Sequence, residues 1–151
     1  HSNKFNINLN NSIILDLFSG VGSFGIECIS RGAKKVIFIE NYKNALLILK
    51  RNLSNLTTVN NYEIIEKNIY TENLSENLND KFDLIFLDPP YKDKDLHELL
   101  LKINNLNILK KESVIILHRH KKQKEIFPSN FKIIEKKQYG ISKIIFLTVL
   151  N

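Results

Sequence analysis

The chain has 151 residues, 43% of them hydrophobic, which suits one globular domain with a substantial core. A single cysteine, Cys28, excludes an internal disulfide framework and a thiolate zinc cluster within one chain, and no apolar run is long enough to cross a bilayer. The net charge of +6 is uneven: residues 1–80 hold eight Lys/Arg against eight Asp/Glu, residues 81–151 fourteen against eight, so the second half carries the basic surface.

In chain order, the first apolar run, Ile13 to Leu17, reads as a buried strand and feeds directly into Asp16-Leu17-Phe18-Ser19-Gly20-Val21-Gly22-Ser23-Phe24-Gly25. The glycines have G-x-G-x-x-G spacing. Gly20 and Gly22 allow a sharp turn and the approach of a ligand to the backbone, and the following helix would direct free N–H groups toward it. Cys28, with Ile26 and Ile29 on that helix, reads as core. A second strand, Val36 to Ile39, ends at Glu40, whose carboxylate would meet ribose hydroxyls of either a dinucleotide or S-adenosylmethionine. Asp16 separates these two in part, because a carboxylate beside the glycine turn suits a cationic amino-acid moiety and repels a pyrophosphate.

Ala45, Leu46, Leu49 and Leu53 recur at helical spacing, and Tyr62 to Ile65 reads as a third strand. A short helix is expected over 73–78, with Thr71 as its cap. The fourth strand, Phe82 to Leu87, runs into Asp88-Pro89-Pro90-Tyr91. Proline fixes its own φ and restricts the residue before it, so the Asp88 carboxylate and the Pro89 carbonyl stand side by side as two acceptors for a planar –NH2 group. Such a pair turns the nitrogen lone pair toward a methyl donor, while Tyr91 offers a ring for base stacking.

Leu96, Leu99, Leu100 and Ile103 form another helical face, Val114 to Leu117 a fifth strand, and Phe131 to Glu135 with Ile141 to Val149 an antiparallel hairpin turning at Gly140. The expected fold is α/β and Rossmann-like: a mixed, mostly parallel seven-stranded sheet with a C-terminal antiparallel hairpin, in a single domain over 1–151. Asp16, Glu40, Asn68 and Asp88 all fall at the carboxyl ends of strands, where such sheets bind ligands. The Arg119-His120-Lys121-Lys122 cluster is expected to touch RNA phosphates. His97, His118 and His120 have no partnering acid cluster in sequence, so they read as surface histidines and no metal is expected.

Leu15 through Glu27, followed by Ser30-Arg31-Gly32-Ala33, Asp88-Pro89-Pro90-Tyr91 and Lys137-Gln138-Tyr139-Gly140, resembles the RsmD family of bacterial ribosomal RNA guanine-N2 methyltransferases almost end to end. The resemblance implies a class I S-adenosylmethionine-dependent fold. It implies that Asp16, Gly20 and Gly22 surround the methionine moiety, that Glu40 binds the ribose, and that Asn68 and Ile69 face the adenine, with Phe18 also in the cofactor site. Asp88 to Tyr91 would hold guanine; from the basic charge of the second half, Arg119, Lys121, Lys122, Tyr139 and Lys143 are expected to contact RNA. The implied partner is ribosomal RNA or the assembling small subunit, in the cytoplasm, with no membrane. Two departures stand out. Members usually open with an Arg-Pro-Thr-rich segment that this sequence lacks, and commonly show Glu-His where this chain reads Arg119-His120. Two other readings of the same motifs are an N-methyltransferase acting on DNA adenine or protein glutamine, and a noncatalytic RNA-binding or dinucleotide-binding domain.

Overall fold

A computed structural model describes residues 8–56, 59–90 and 95–150. Its elements are β1 (Ile13–Leu17), α1 (Ser23–Ser30), β2 (Lys35–Ile39), α2 (Lys43–Ser54), β3 (Tyr62–Ile65), β4 (Phe82–Leu87), α3 (Leu96–Asn105), β5 (Leu109–His120), β6 (Phe131–Tyr139) and β7 (Ser142–Val149). All seven strands join one sheet in the order β3-β2-β1-β4-β5-β7-β6. The first five are mutually parallel, and β7 runs antiparallel to both β5 and β6. The expected mixed sheet and terminal hairpin are therefore present.

The sheet is apolar on both faces because helices cover both. Alternation sends Leu15, Leu17, Ile37, Ile39, Ile85, Leu87, Ile115 and Leu117 to one face, which packs on Leu96, Leu99, Leu100 and Ile103 of α3. The opposite face, with Ile14, Val36, Phe38, Leu84 and Ile116, packs on Cys28 of α1 and on Leu46, Leu49 and Leu53 of α2. Among the described residues no helix is long and apolar enough to cross a membrane.

Two elements differ from expectation. Residues 73–78 form a single turn closed by Asn77 and Leu78 N–H donating to Leu74 O, with Asn73 Oδ1 accepting the Ser75 N–H. Thr71 caps nothing there: its N–H goes to Asn68 O. Asn, Ser and Asp flanking two leucines favour local side-chain-to-backbone bonds over a propagating helix. β5 is longer than its apolar stretch. Its register with β4 jumps from Phe82↔Leu109 to Leu84↔Val114, and Glu112 takes a positive φ of 65° in the irregularity, so polar Lys110 to Ser113 belong to the strand.

The strands end in register. Leu17, Ile39, Ile65, Leu87 and Leu117 form one transverse row across β1 to β5. Phe18, Glu40, Glu66, Asp88 and His118 are the residues immediately after that row, gathered along the carboxyl edge of the sheet.

Candidate active site

A cleft of about 470 Å³ opens along this edge, lined by Phe18, Glu40, Asn68, Ile69, Tyr70 and Asp88 among others. β1 lies between β2 and β4, so the chain's two directions of winding diverge there and leave a crevice above the strand ends. The turn after β1 is shaped by positive φ values at Phe18 (60°), Gly20 (57°) and Gly22 (88°). A Cβ at Gly20 would meet nothing within 4 Å, so the backbone there borders open space. Gly22 has another task. A Cβ there would stand 2.3 Å from Leu49 Cδ1, so its missing side chain serves the packing of α1 against α2; the ligand approach expected at both glycines is left to Gly20.

Glu40 is held by three backbone donors. Gly20 N–H donates to Oε1 at 2.7 Å, and Asn41 and Tyr42 N–H donate to Oε2 at 3.0 Å each. A carboxylate offers about four lone-pair sites, so acceptor capacity remains toward the cleft. Asn68 shapes the far wall: its Oδ1 accepts the Tyr70 N–H at 2.8 Å, and its own N–H donates to Glu72 Oε2 at 2.7 Å. Lys102 of α3 pins the same wall by donating to Ile69 O and to Glu72 O. The Phe18 and Tyr70 rings face each other with centroids 5.5 Å apart. Tyr70 and Lys102 were invisible to sequence reasoning because a loop tyrosine and a helix lysine carry no motif.

Asp16 is placed differently from Glu40. Strand alternation turns it toward α1, where Gly25, lacking a side chain, donates its N–H to Oδ2 at 3.1 Å. The carboxyl is buried beneath the turn and does not line the cleft. Burial pushes its pKa from 3.8 up to about 8; the Gly25 N–H opposes this, and the nearby Asp88 and Glu40 charges add to it.

Asp88 lies where the first cleft meets a second, of about 200 Å³, lined by Pro89, His118, His120, Gln123, Ile141 and Ser142 together with Arg119. Pro89 is buried, whereas Asp88 and Pro90 are exposed. Tyr91 lies outside the described residues. His118 Nδ1 stands 3.0 Å from Asp88 Oδ1, and that hydrogen bond raises the imidazole pKa above its usual value, with partial burial opposing. The expectation that His118 is an ordinary surface histidine is corrected by this contact. Its partner lies 30 positions away in sequence, so no local pattern could reveal it.

The basic cluster is also rearranged. Arg119 is buried, with Nε 3.5 Å from Glu125 Oε2, and Lys143 Nζ donates to Glu125 Oε1 at 2.8 Å and to Gln123 O. Neither side chain is offered to a phosphate, contrary to expectation, because the chain doubles back after β5 and brings Glu125 between them. Lys121, Lys122 and Tyr139 are exposed. Among the described residues no three His, Cys, Asp or Glu side chains gather to hold a metal ion.

The family model described as Conserved hypothetical protein 95 matches residues 2–148. The chain is 37% identical over 129 residues to the Ribosomal RNA small subunit methyltransferase D of Buchnera aphidicola subsp. Acyrthosiphon pisum, covering 85% of this chain and 66% of the relative. It is 32% identical over 134 residues to the protein of the same name from Haemophilus influenzae, covering 88% and 69%. A solved Haemophilus influenzae structure described as a methylase superposes with a TM-score of 0.78 at 31% identity, covering 95% of this chain and 89% of that one. The order of the glycine turn, the Glu40 strand end and the Asp88-Pro89-Pro90 corner on one doubly covered sheet, with these likenesses, shows that the chain belongs to the RsmD family.

Proposed function

We propose that the protein transfers a methyl group from S-adenosylmethionine to the exocyclic N2 amine of a guanine in small-subunit ribosomal RNA. The observation that carries this reading is the meeting of two clefts at Asp88: one is walled by Glu40, Asn68 and Ile69, the other by Pro89 and His118. One cleft suits a nucleoside with ribose hydroxyls, and the other a planar base. The names of the Buchnera and Haemophilus relatives supply the class of substrate.

The residues fit the methyl donor. Open space at Gly20 admits a ligand against the backbone, Glu40 keeps acceptor capacity for ribose, and Asn68 with Ile69 lines the wall where adenine would lie. When bound, S-adenosylmethionine supplies an electrophilic methyl on a sulfonium, and the C–S electron pair stays on sulfur as the methyl leaves. Asp88 and the Pro89 carbonyl hold the two N–H groups of the acceptor, which turns the nitrogen lone pair toward the first cleft. Such placement contributes roughly 7 to 11 kcal/mol of barrier lowering in well-oriented systems. Asp88 also stabilises positive charge as it develops on nitrogen, after which an N–H proton leaves to water. A strong base is not needed for this step. A ribosomal RNA substrate, the class named for the relatives, supports a cytoplasmic location.

The test is methyl incorporation from labelled donor into small-subunit ribosomal RNA, free or in assembling subunits, followed by mapping of the nucleotide. Label at N2 of guanine is expected. Label only in DNA adenine or in protein would replace the substrate, and no incorporation anywhere would replace the activity.

A further inference from the structure

We propose that His118 is a positioning residue for the acceptor clamp: it commits Asp88 Oδ1 to its own Nδ1, leaves Oδ2 to face the amine, and sets the strength of the clamp by its charge. The inference rests on the reading of Asp88 as the acceptor of the amine protons. Its geometric basis is register. Leu87 and Leu117 are partners on β4 and β5, so the next residue of each strand leaves the sheet beside the other, and Nδ1 and Oδ1 stand 3.0 Å apart. Both side chains line the second cleft, where the acceptor base would enter.

The charged groups around this ring come from several elements. From β4 the ring faces Asp88, whose hydrogen bond is the main influence on it. On β5, Arg119 is turned to Glu125, and His120 Nδ1 accepts the Lys122 N–H at 3.1 Å. On β7, opposite, His118 pairs with apolar Ile144, and Lys143 is spent on Glu125 and Gln123. Beyond Asp88 lie the carboxyl groups of Asp16 and Glu40, and the Asp88 and Glu40 charges both act on the buried Asp16. His118 is thus governed chiefly by Asp88.

The chemistry gives the pairing a consequence. In the transfer, the nitrogen lone pair forms the new N–C bond, the C–S bond breaks with its pair on sulfur, and positive charge passes onto nitrogen. A neutral imidazole with its proton on Nδ1 orients Asp88 without adding charge. An imidazolium orients it equally well but sets a second cation against the carboxylate that must stabilise the first. Methyl transfer therefore slows as His118 gains its proton, and the carboxylate contact raises the pH at which this happens.

The experiment measures single-turnover methylation of small-subunit ribosomal RNA against pH for the full chain, His118→Ala and His118→Asn, alongside an NMR titration of the His118 ring in the protein alone and in Asp88→Asn. The wild-type rate is expected to rise through the ring's measured pKa, which should fall in Asp88→Asn. His118→Asn, whose amide can donate to Asp88 but does not titrate, should hold a flat rate near the wild-type plateau. His118→Ala should lose about tenfold or more with S-adenosylhomocysteine affinity unchanged. A His118→Ala rate equal to wild type, or a ring pKa indifferent to Asp88→Asn, overturns the inference alone. Wild-type protein that methylates no RNA overturns the functional reading as well. Should His118→Ala fail to fold, the wild-type and His118→Asn profiles decide: parallel pH limbs overturn the role.

Discussion

Glu40 joins the turn after β1 to the start of α2, since one carboxylate collects N–H groups from Gly20, Asn41 and Tyr42. Its removal should therefore loosen the cleft and delete a ribose acceptor together. Glu40→Ala is expected to weaken S-adenosylhomocysteine binding tenfold or more, because a charge-assisted hydrogen bond contributes about 1.5 to 3 kcal/mol. Calorimetric titration checks this, and an unchanged dissociation constant would contradict it. Asp88 should behave in the opposite way. Asp88→Ala is expected to abolish methyl transfer while S-adenosylhomocysteine affinity stays within a few-fold, and Asp88→Asn, with one acceptor oxygen and no charge, should retain intermediate activity. Substantial activity in Asp88→Ala would remove the clamp from the mechanism. These carboxylates were legible in sequence because each ends an apolar run. His118 and Arg119 were not, since their roles depend on Asp88 and on Glu125, which reach them only through the folded sheet and the turn after it.

At the scale of elements, the connection from β5 to β6 is organised by one acidic residue between two cations, Glu125 with Arg119 and Lys143. Removing one member of a buried charged set is costly because the others stay desolvated, on the order of 3 to 5 kcal/mol when a pair is broken outright. Glu125→Ala, which strands two cations, should therefore destabilise the fold more than Arg119→Ala, which leaves Glu125 its lysine. Equal denaturation midpoints for the two variants would contradict this. Of the basic cluster, Lys121 and Lys122 stay exposed at the turn and are the candidates for contact with RNA. Their joint replacement by Ala should lower the slope of log affinity against log salt by about 1.4 if both touch phosphates of single-stranded RNA. An unchanged slope would assign them to solvated surface. The charge count indicated which half of the chain is basic, but could not distinguish a lysine at a turn from an arginine drawn inward. The helix expected over 73–78 failed for a local reason, since Asn73 competes for the backbone donor that a helix would use.

For the whole molecule, Asp16 links stability to pH. Its pKa rises from 3.8 to about 8 on folding, so the folded chain holds a proton that the unfolded chain releases near pH 4. The stabilisation from this group is complete below pH 3.8 and is lost progressively as pH climbs to about 8. Chemical denaturation at pH 5 and at pH 8.5 should show a larger fall for wild type than for Asp16→Asn, whose amide does not titrate; equal falls would contradict the assignment. The strands of the sheet were readable from their apolar runs, and the hairpin from its turn at Gly140. Their lateral order is a different kind of information, because periodicity states which face of a strand is buried and not which strand lies beside it.

The place of β7 between β5 and β6 sets a timetable for synthesis. β1 to β4, with the turn, Glu40 and Asp88, precede β5 to β7 in the chain, so the residues of the first cleft are made before those of the second are complete. The acceptor half must wait. Ile141 and Ser142 line the second cleft, and β6 has no partner until β7 arrives to separate it from β5. A nascent chain that lacks β7 therefore carries every residue named for the first cleft and only part of the second.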